Sequence, residues 1–223
     1  NPGKRGGEVH LLKGFEPEKF LTTIEREKIN CTLMVPTMIY VALDHPRLDE
    51  IDLSSLELLL YGASPMSPSR LVEGLERIGP VFSQLYGQTE CYPVSVLRKA
   101  DHDPDNPLRL ASCGRPSIDC EIKLVNEAGD EVASGEAGEI ALRTPFAMKG
   151  YYNAPELNAQ MFLPDGWLRT RDVGRFDRSV GSRDPHGDPN SRRRESWRVV
   201  NPVADHRHAL LEGRVEGLGH VVV

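Results

Sequence analysis

Residues 81–90 read VFSQLYGQTE, and the interpretation of the rest of the chain depends on them. The first five residues are mostly apolar and predict a short strand, so residues 86–90 are expected in the loop where that strand ends. In an open α/β sheet, ligands bind just beyond the carboxyl ends of the strands. An aromatic ring, a glycine, a hydroxyl and a carboxylate in such a loop suit a base, a close backbone approach, a phosphate and Mg²⁺. Taken alone, however, the five residues are more simply explained as a strand-end turn with solvent-facing threonine and glutamate.

Upstream of this stretch, strand patterns and helix patterns alternate. Apolar runs predict strands at residues 8–12, 31–35 and 56–61, the second of them buried. Helices are predicted to begin near Pro17, at residue 36 and at Pro68, the last with Ser67 as its cap. This alternation predicts a partial parallel α/β layer, which we assign to residues 1–115.

Downstream of the central stretch, the pattern changes to short alternating segments. Residues 118–124 alternate apolar and charged side chains, which predicts a half-exposed strand, and residues 139–143 repeat the pattern. Residues 154–162 predict one further helix. The fold class expected is therefore α/β, a partial parallel layer followed by a small antiparallel β-barrel-like subdomain over residues 116–177.

The last 46 residues differ in composition from everything before them. Residues 178–223 contain eight arginines, no lysine and no isoleucine, threonine, phenylalanine, tyrosine or methionine, and carry a net charge of +2 against −8 for residues 1–177. They show neither helical nor strand periodicity. We expect an irregular, disordered tail unrelated to the preceding domain, and we interpret it as the product of a shifted reading frame in a GC-rich gene.

The composition excludes several classes of function. The chain is 39% hydrophobic and 27% charged, and it has no apolar run long enough for a transmembrane helix, so no integral membrane segment is expected. A net charge of −6 argues against a general nucleic-acid binder. The four cysteines lack metal-ligand spacing, which predicts reduced thiols and a cytoplasmic protein. Because the chain begins with Asn1 rather than methionine, we expect it to be trimmed or cut from something longer.

Four further motifs accompany residues 86–90 in a fixed order. They are YGASPMSP at residues 61–68, GEI at 138–140, GYYNAPE at 150–156 and DGWLRTRD at 165–172. In this order and spacing they resemble the adenylate-forming superfamily, which includes acyl-CoA synthetases, luciferases and the adenylation domains of peptide synthetases. The resemblance covers residues 1 to about 177 and is greatest to bacterial fatty acyl-CoA ligases.

The resemblance implies mainly structural duties for Gly150, Tyr151 and residues 165–167, and ligand-binding roles for other motif residues. Tyr86 would stack on adenine, Thr89 would contact a phosphate, Glu90 would hold Mg²⁺, and Asp172 would accept hydrogen bonds from both ribose hydroxyls. Thr89 and Glu90 are the expected catalytic residues, with Glu90 as the metal ligand. The expected nucleotide-binding residues are Gly62, Ala63, Ser64, Pro65, Tyr86, Gly87, Gln88, Thr89 and Asp172. ATP, Mg²⁺ and CoA, the last as co-substrate, and a small-molecule carboxylic acid are the implied cofactors and partners.

The sequence also departs from the family pattern. Arg171 stands where the family usually has glycine before the ribose-binding aspartate, which predicts an unfavourable backbone angle there. A phosphate loop rich in serine, threonine and glycine, and a C-terminal domain with a catalytic lysine, are not found in this sequence. We therefore expect an acyl-CoA ligase-type AMP-binding segment that is incomplete and inactive alone. The alternatives are a non-catalytic remnant that binds nucleotide or a partner chain, and an adenylation domain for another carboxylic acid.

Overall fold

The computed structural model describes residues 7–177 and 196–199. The described ranges contain five helices, α1 (Pro17–Glu27), α2 (Pro36–Leu43), α3 (Pro68–Arg77), α4 (Pro107–Leu110) and α5 (Pro155–Met161), with short 3₁₀ turns at Leu48–Glu50 and Lys99–Asp101. The nine strands of these residues are β1 (Cys31–Met34), β2 (Leu58–Gly62), β3 (Phe82–Gln88), β4 (Cys91–Leu97), β5 (Arg115–Pro116), β6 (Glu121–Val125), β7 (Ala137–Arg143), β8 (Leu168–Asp177) and β9 (Ser196–Val199). The element order is that of a mixed α/β protein, as the sequence predicts.

Each helix begins with a proline, which has no backbone N–H to leave unsatisfied in the first turn. In α1 the Glu16 carboxylate caps the helix by accepting from the Glu18 and Lys19 amides. Lys28 ends the same helix in the left-handed conformation, with φ of 49°. Local residue choices therefore account for where these helices start and stop.

The first sheet has the strand order β1-β2-β3-β4-β5. Strands β1, β2 and β3 run parallel, whereas β4 and β5 are added antiparallel. Helices α1 to α3 pack on this sheet around fully buried side chains that include Tyr61, Phe82 and Leu71. The carboxyl ends of the three parallel strands consequently lie at one edge of the sheet.

The second sheet is antiparallel, with the order β6-β7-β8-β9. Its inward-facing residues, such as Ile140 and Leu142, form a second core together with Val94 of β4. This sheet is the predicted antiparallel subdomain. Strand β5 of the first sheet ends at Pro116, and β6 of the second sheet begins at Glu121. The division into domains at residues 1–115 and 116–177 remains a prediction.

Three expectations from the sequence were wrong in detail. Residues 8–12 form no strand. Strand β1 is the edge of its sheet rather than a buried strand, and Leu33 is 56% exposed. Ser67 precedes α3 but caps it with no side-chain hydrogen bond, because its hydroxyl pairs with that of Ser69 instead.

The tail is described only in part. Residues 196–199 form β9, which pairs antiparallel with β8 and which the sequence patterns do not predict. The expectation of disorder for the remaining residues, 178–195 and 200–223, lies outside the described part of the chain. Within the described ranges no helix has the length and apolarity that crossing a membrane requires.

Candidate functional site

The central motif forms a β-hairpin rather than a loop. Tyr86, Gly87 and Gln88 are the last residues of β3, and Thr89 and Glu90 form the tight turn into β4. The expectation that all five residues lie in a strand-end loop was therefore wrong for the first three. The reason is that β4 returns antiparallel along β3 and extends its pairing as far as Gln88.

Tyr86 and Gln88 converge on the carboxylate of Asp172. The Tyr86 hydroxyl donates to Asp172 Oδ2 at 2.6 Å, and Gln88 Nε2 donates to the same oxygen at 2.9 Å. Gln88 Nε2 also donates to the Thr170 carbonyl at 2.7 Å. Burial, followed by the negative charge of Asp172, raises the pKa of Tyr86, so the phenol stays protonated and remains a donor. Three of the predicted nucleotide-binding residues are thus in direct contact.

Asp172 reaches this position from a bulge in β8. Glu139 pairs with Val173 and Ala141 pairs with Arg169, so three residues of β8 stand opposite Ile140 alone. Arg171, the middle one, has φ of 65°, the left-handed conformation that its sequence context predicts. Extra residues in a strand redirect the side chains that follow them. The bulge therefore aims Asp172 at the end of β3.

Glu90 is held by a second set of contacts. Tyr151 donates its hydroxyl to Glu90 Oε1 at 2.5 Å, and the Met148 amide donates to the Glu90 carbonyl at 2.7 Å. The hydrogen bond to Glu90 raises the pKa of Tyr151 to about 12. Tyr151 is itself fixed by Asn158 of α5, which bonds both its amide and its carbonyl. Thr89 is exposed beside this cluster.

The turn after β2 lies at the same sheet edge. Gly62 pairs with Leu85, the residue before Tyr86, and a Cβ atom on Gly62 would lie 2.3 Å from the Leu85 carbonyl oxygen. Only glycine permits this approach of the two strands. Ala63 has φ of 68°, and it is exposed together with Ser64 and Pro65. The turn thus presents small groups and backbone next to the end of β3.

Gly87 serves the hairpin in a similar way. A Cβ atom there would lie 2.6 Å from the Tyr92 ring and 3.0 Å from the Cys91 carbonyl oxygen. The absence of a side chain lets β4 pack closely over β3 at this point.

Sequence reasoning missed two residues of this region and underrated a third. Gln84 is 8% exposed, and its side-chain oxygen has no hydrogen-bond partner among the described residues. Gln84 lies two positions before Tyr86 and four before Gln88 in one strand. This spacing places side chains on the same face, so the sequence could have identified Gln84 as a neighbour of the site. Tyr151, expected to be structural, contacts Glu90 directly. Glu139 supports the β8 bulge, and no sequence signal identifies that role.

The arrangement suits a magnesium ion only together with a phosphate ligand. Within residues 7–177 and 196–199, no group of three or more histidine, cysteine, aspartate or glutamate side chains could hold a metal. Mg²⁺ in nucleotide sites commonly takes one or two carboxylates and completes its shell with phosphate oxygens and water. The single Glu90 carboxylate fits that donor set.

A mixed α/β sheet with an aromatic ring, an amide and a carboxylate gathered at its strand ends is the architecture of a ligand-binding α/β protein. The chain belongs to the AMP-binding enzyme family, whose model matches residues 2–152. It is 44% identical over 174 residues to the medium/long-chain-fatty-acid–CoA ligase FadD8 of Mycobacterium tuberculosis, covering 78% of this chain and 30% of that protein. The predicted superfamily is confirmed.

Solved structures agree with this assignment. The amide bond synthetase McbA of Marinactinospora thermotolerans matches with a TM-score of 0.72 and 38% identity, covering 78% of this chain and 35% of that chain. The anthranilate CoA ligase AuaEII in complex with anthranoyl-AMP gives a TM-score of 0.70 and 28% identity, covering 78% and 33%. The chain thus spans about a third of the length of these relatives.

Proposed function

We propose that this chain forms a nucleotide-binding part of an AMP-forming acid–thiol ligase. In the first half-reaction a carboxylate oxygen bonds to the α-phosphorus of ATP and pyrophosphate leaves. In the second, the thiol of CoA attacks the acyl carbon and AMP leaves. The identity to a medium/long-chain-fatty-acid–CoA ligase supports a fatty acid as the carboxylic acid.

The observation that carries the proposal is the convergence of Tyr86 and Gln88 on Asp172. A carboxylate has lone pairs for several donors, so Asp172 can accept from a ribose diol in addition to its protein partners. The Tyr86 ring, which is partly buried against the second core, would stack on adenine. The unpartnered, buried oxygen of Gln84 on the same strand suits an amino group of the base, because an unsatisfied buried acceptor is unfavourable.

Glu90 and Thr89 are proposed to serve the phosphates. Glu90 would hold Mg²⁺ jointly with the nucleotide, and bound Mg²⁺ would supply positive charge where the phosphate oxygens and the incoming carboxylate meet. The exposed Thr89 hydroxyl would donate to a phosphate oxygen. Tyr151 keeps Glu90 oriented through its hydrogen bond.

The turn from Gly62 to Pro65 is proposed to lie against the adenine and the acyl adenylate. Its pairing with the end of β3 and its exposed small residues support this role. We also propose a cytoplasmic location, supported by the four cysteines, all of which are within the described residues and are thiols rather than disulfides.

The proposal is tested by nucleotide binding to the full chain. We expect isothermal titration calorimetry to detect AMP binding, and we expect Asp172→Ala to weaken it at least tenfold, since hydrogen bonds to a charged group contribute about 1.5–3 kcal/mol. The matched control is Asp105→Ala, which removes an exposed loop carboxylate and should leave the affinity unchanged. Absence of AMP binding by the wild-type chain at millimolar concentration would overturn the proposal.

A second candidate, nucleotide binding without turnover, is favoured by Arg171. Its long cationic side chain stands next to Asp172, where the family pattern has glycine, and it adopts a conformation that glycine adopts without strain. Pyrophosphate exchange above background with any carboxylic acid would exclude this second candidate.

A further inference from the structure

The bulge that presents Asp172 depends on a backbone conformation that its sequence disfavours. For a residue with a Cβ atom, the left-handed region costs roughly 1–2 kcal/mol relative to ordinary conformations. Arg171 adopts it with φ of 65°. Such a conformation persists only where neighbouring groups stabilise it.

Strand β7 supplies that stabilisation at two points. The Arg171 amide donates to Glu139 Oε1 at 3.0 Å. One residue earlier, the Thr170 hydroxyl donates to the Ile140 carbonyl at 2.9 Å and accepts from the Asp172 amide at 3.1 Å. The Thr170 hydroxyl and the Arg171 amide are thereby bonded to β7 directly, and the Asp172 amide is bonded to it through Thr170.

The Glu139 carboxylate is itself fixed on its other side. Arg169 donates to Glu139 Oε2 through Nε at 2.9 Å and through a terminal nitrogen at 2.5 Å. The side chains of the pair are 16% and 18% exposed, for Glu139 and Arg169 respectively, so bulk water screens their interaction only partly. The Glu139 carboxylate thus links Arg169, the residue before the bulge, to the Arg171 amide within the bulge.

We infer that Glu139, oriented by Arg169, is a positioning residue that holds the 170–172 bulge so that Asp172 faces the ribose diol. The inference rests on the proposed function, because it assigns Glu139 its effect through the contact between Asp172 and the nucleotide. The Glu139 carboxylate bonds to the Arg169 guanidinium and to the Arg171 amide, so its effect on a ligand passes through the backbone of the bulge.

The test compares two ligands that differ only in the diol. AMP and 2′,3′-dideoxyadenosine 5′-monophosphate are titrated into the wild-type chain and into Glu139→Ala, and the ratio of the two affinities is taken for each protein. We expect the wild type to prefer AMP at least tenfold. Glu139→Ala should reduce this ratio at least fivefold while changing the affinity for the dideoxy ligand less than twofold.

Two further variants separate positioning from a general loss of structure. Glu121→Ala removes a second glutamate that pairs with an arginine between neighbouring strands, Arg143 at 2.8 Å, and should retain the wild-type ratio. Glu139→Ala combined with Arg171→Gly should recover most of the ratio, because glycine adopts the left-handed conformation without support. If Glu139→Ala does not fold, Glu139→Gln, which retains an acceptor for the Arg171 amide but loses the ion pair, should reduce the ratio at least threefold.

The outcomes distinguish this inference from the function on which it rests. A wild-type chain without preference for AMP over the dideoxy ligand overturns the ribose contact and the inference with it. A wild-type chain with the preference, together with a Glu139 variant that keeps it, overturns the inference alone. Loss of the preference in Glu139→Ala, its retention in Glu121→Ala and its recovery with Arg171→Gly would support both.

Discussion

Tyr86 and Asp172 are 86 positions apart in the chain, yet the Tyr86 hydroxyl lies 2.6 Å from Asp172 Oδ2. This hydrogen bond joins the end of strand β3 in the first sheet to the bulge of β8 in the second sheet. It brings the aromatic ring and the carboxylate of the candidate site into one cluster. The relative placement of these two groups is therefore a property of how the two sheets pack.

The first prediction concerns this contact. Tyr86→Phe removes one donor to the Asp172 carboxylate but keeps the ring, so we expect the free energy of unfolding to fall by about 1.5–3 kcal/mol. AMP binding should weaken less than in Asp172→Ala, because the stacking face is retained. Urea denaturation and calorimetry measure the two quantities. Tyr152→Phe is the control, since Tyr152 is 93% exposed, and an equal effect in both variants would contradict the prediction.

The second prediction concerns the strain at Arg171. Arg171→Gly should stabilise the protein by about 1 kcal/mol, because glycine adopts a positive φ without steric cost, although its unfolded chain is more flexible. Thermal unfolding should show a higher melting temperature, and urea unfolding should show a larger free energy of unfolding. The control is Arg175→Gly in the same strand, where φ is not positive and glycine should destabilise. A loss of stability in Arg171→Gly would show that its side chain contributes more than the strain costs.

The third prediction concerns acid sensitivity. The buried His102 donates from Nδ1 to the Arg98 carbonyl at 2.8 Å, since a carbonyl can only accept, and its Nε2 accepts from the Tyr61 hydroxyl at 3.0 Å. Burial lowers the pKa of His102 below 6.5, and the Arg98 carbonyl and the Asp101 charge offset part of this shift. Below pH 6.5 the unfolded chain binds a proton that the folded chain does not, so stability should fall as pH falls.

The measurement is the free energy of unfolding between about pH 7 and pH 5, a window that begins just above the ordinary histidine pKa. As pH falls, the free energy of unfolding should decrease less in His102→Gln than in the wild type. In His45→Gln it should decrease as much as in the wild type. Identical pH profiles for the wild type and His102→Gln would contradict the prediction.

The fourth prediction concerns the packing of α3 on the first sheet. A Cβ atom on Gly74 would lie 2.8 Å from Cζ of Phe82, a residue with no solvent exposure. Alanine would improve helix propensity by about 1 kcal/mol, but overpacking a rigid core costs typically 1–3 kcal/mol. We therefore expect Gly74→Ala to be net destabilising, as measured by urea unfolding.

The matched comparison is Gly14→Ala, where a new Cβ atom would have no neighbour within 4 Å and φ is not positive. This variant should be neutral or slightly stabilising. Combining Gly74→Ala with Phe82→Leu should lose less than the sum of the two single changes, because the smaller side chain relieves the overlap. Simple additivity of the two changes would argue against a steric cause.

Local sequence determined most of the secondary structure. Proline at the first position predicted where α1, α2 and α3 begin, because its φ and its missing N–H suit the first turn of a helix but not its interior. Alternation of apolar and charged residues predicted β6, since a strand places successive side chains on opposite faces. The five motifs, taken in order, identified the family, because together they are a strong signal where any one of them is weak, and the family model matches residues 2–152.

Tertiary structure decided what local pattern could not. The pairing of β4 with β3 placed Tyr86 in a strand rather than a loop, and the position of β1 at a sheet edge exposed Leu33. Whether a residue lies in a loop, in a central strand or in an edge strand depends on which other segments of the chain pair with it.

The candidate site shows the same division. The sequence by itself determined which side chains suit the proposed roles, because an aromatic ring, a hydroxyl and a carboxylate have their properties wherever they lie. The tertiary structure decided that Asp172 meets Tyr86, and that Glu139 supports the strained backbone at Arg171. These contacts follow from strand register and from the packing of two sheets, which involve residues far apart in the chain and are not encoded in any single stretch.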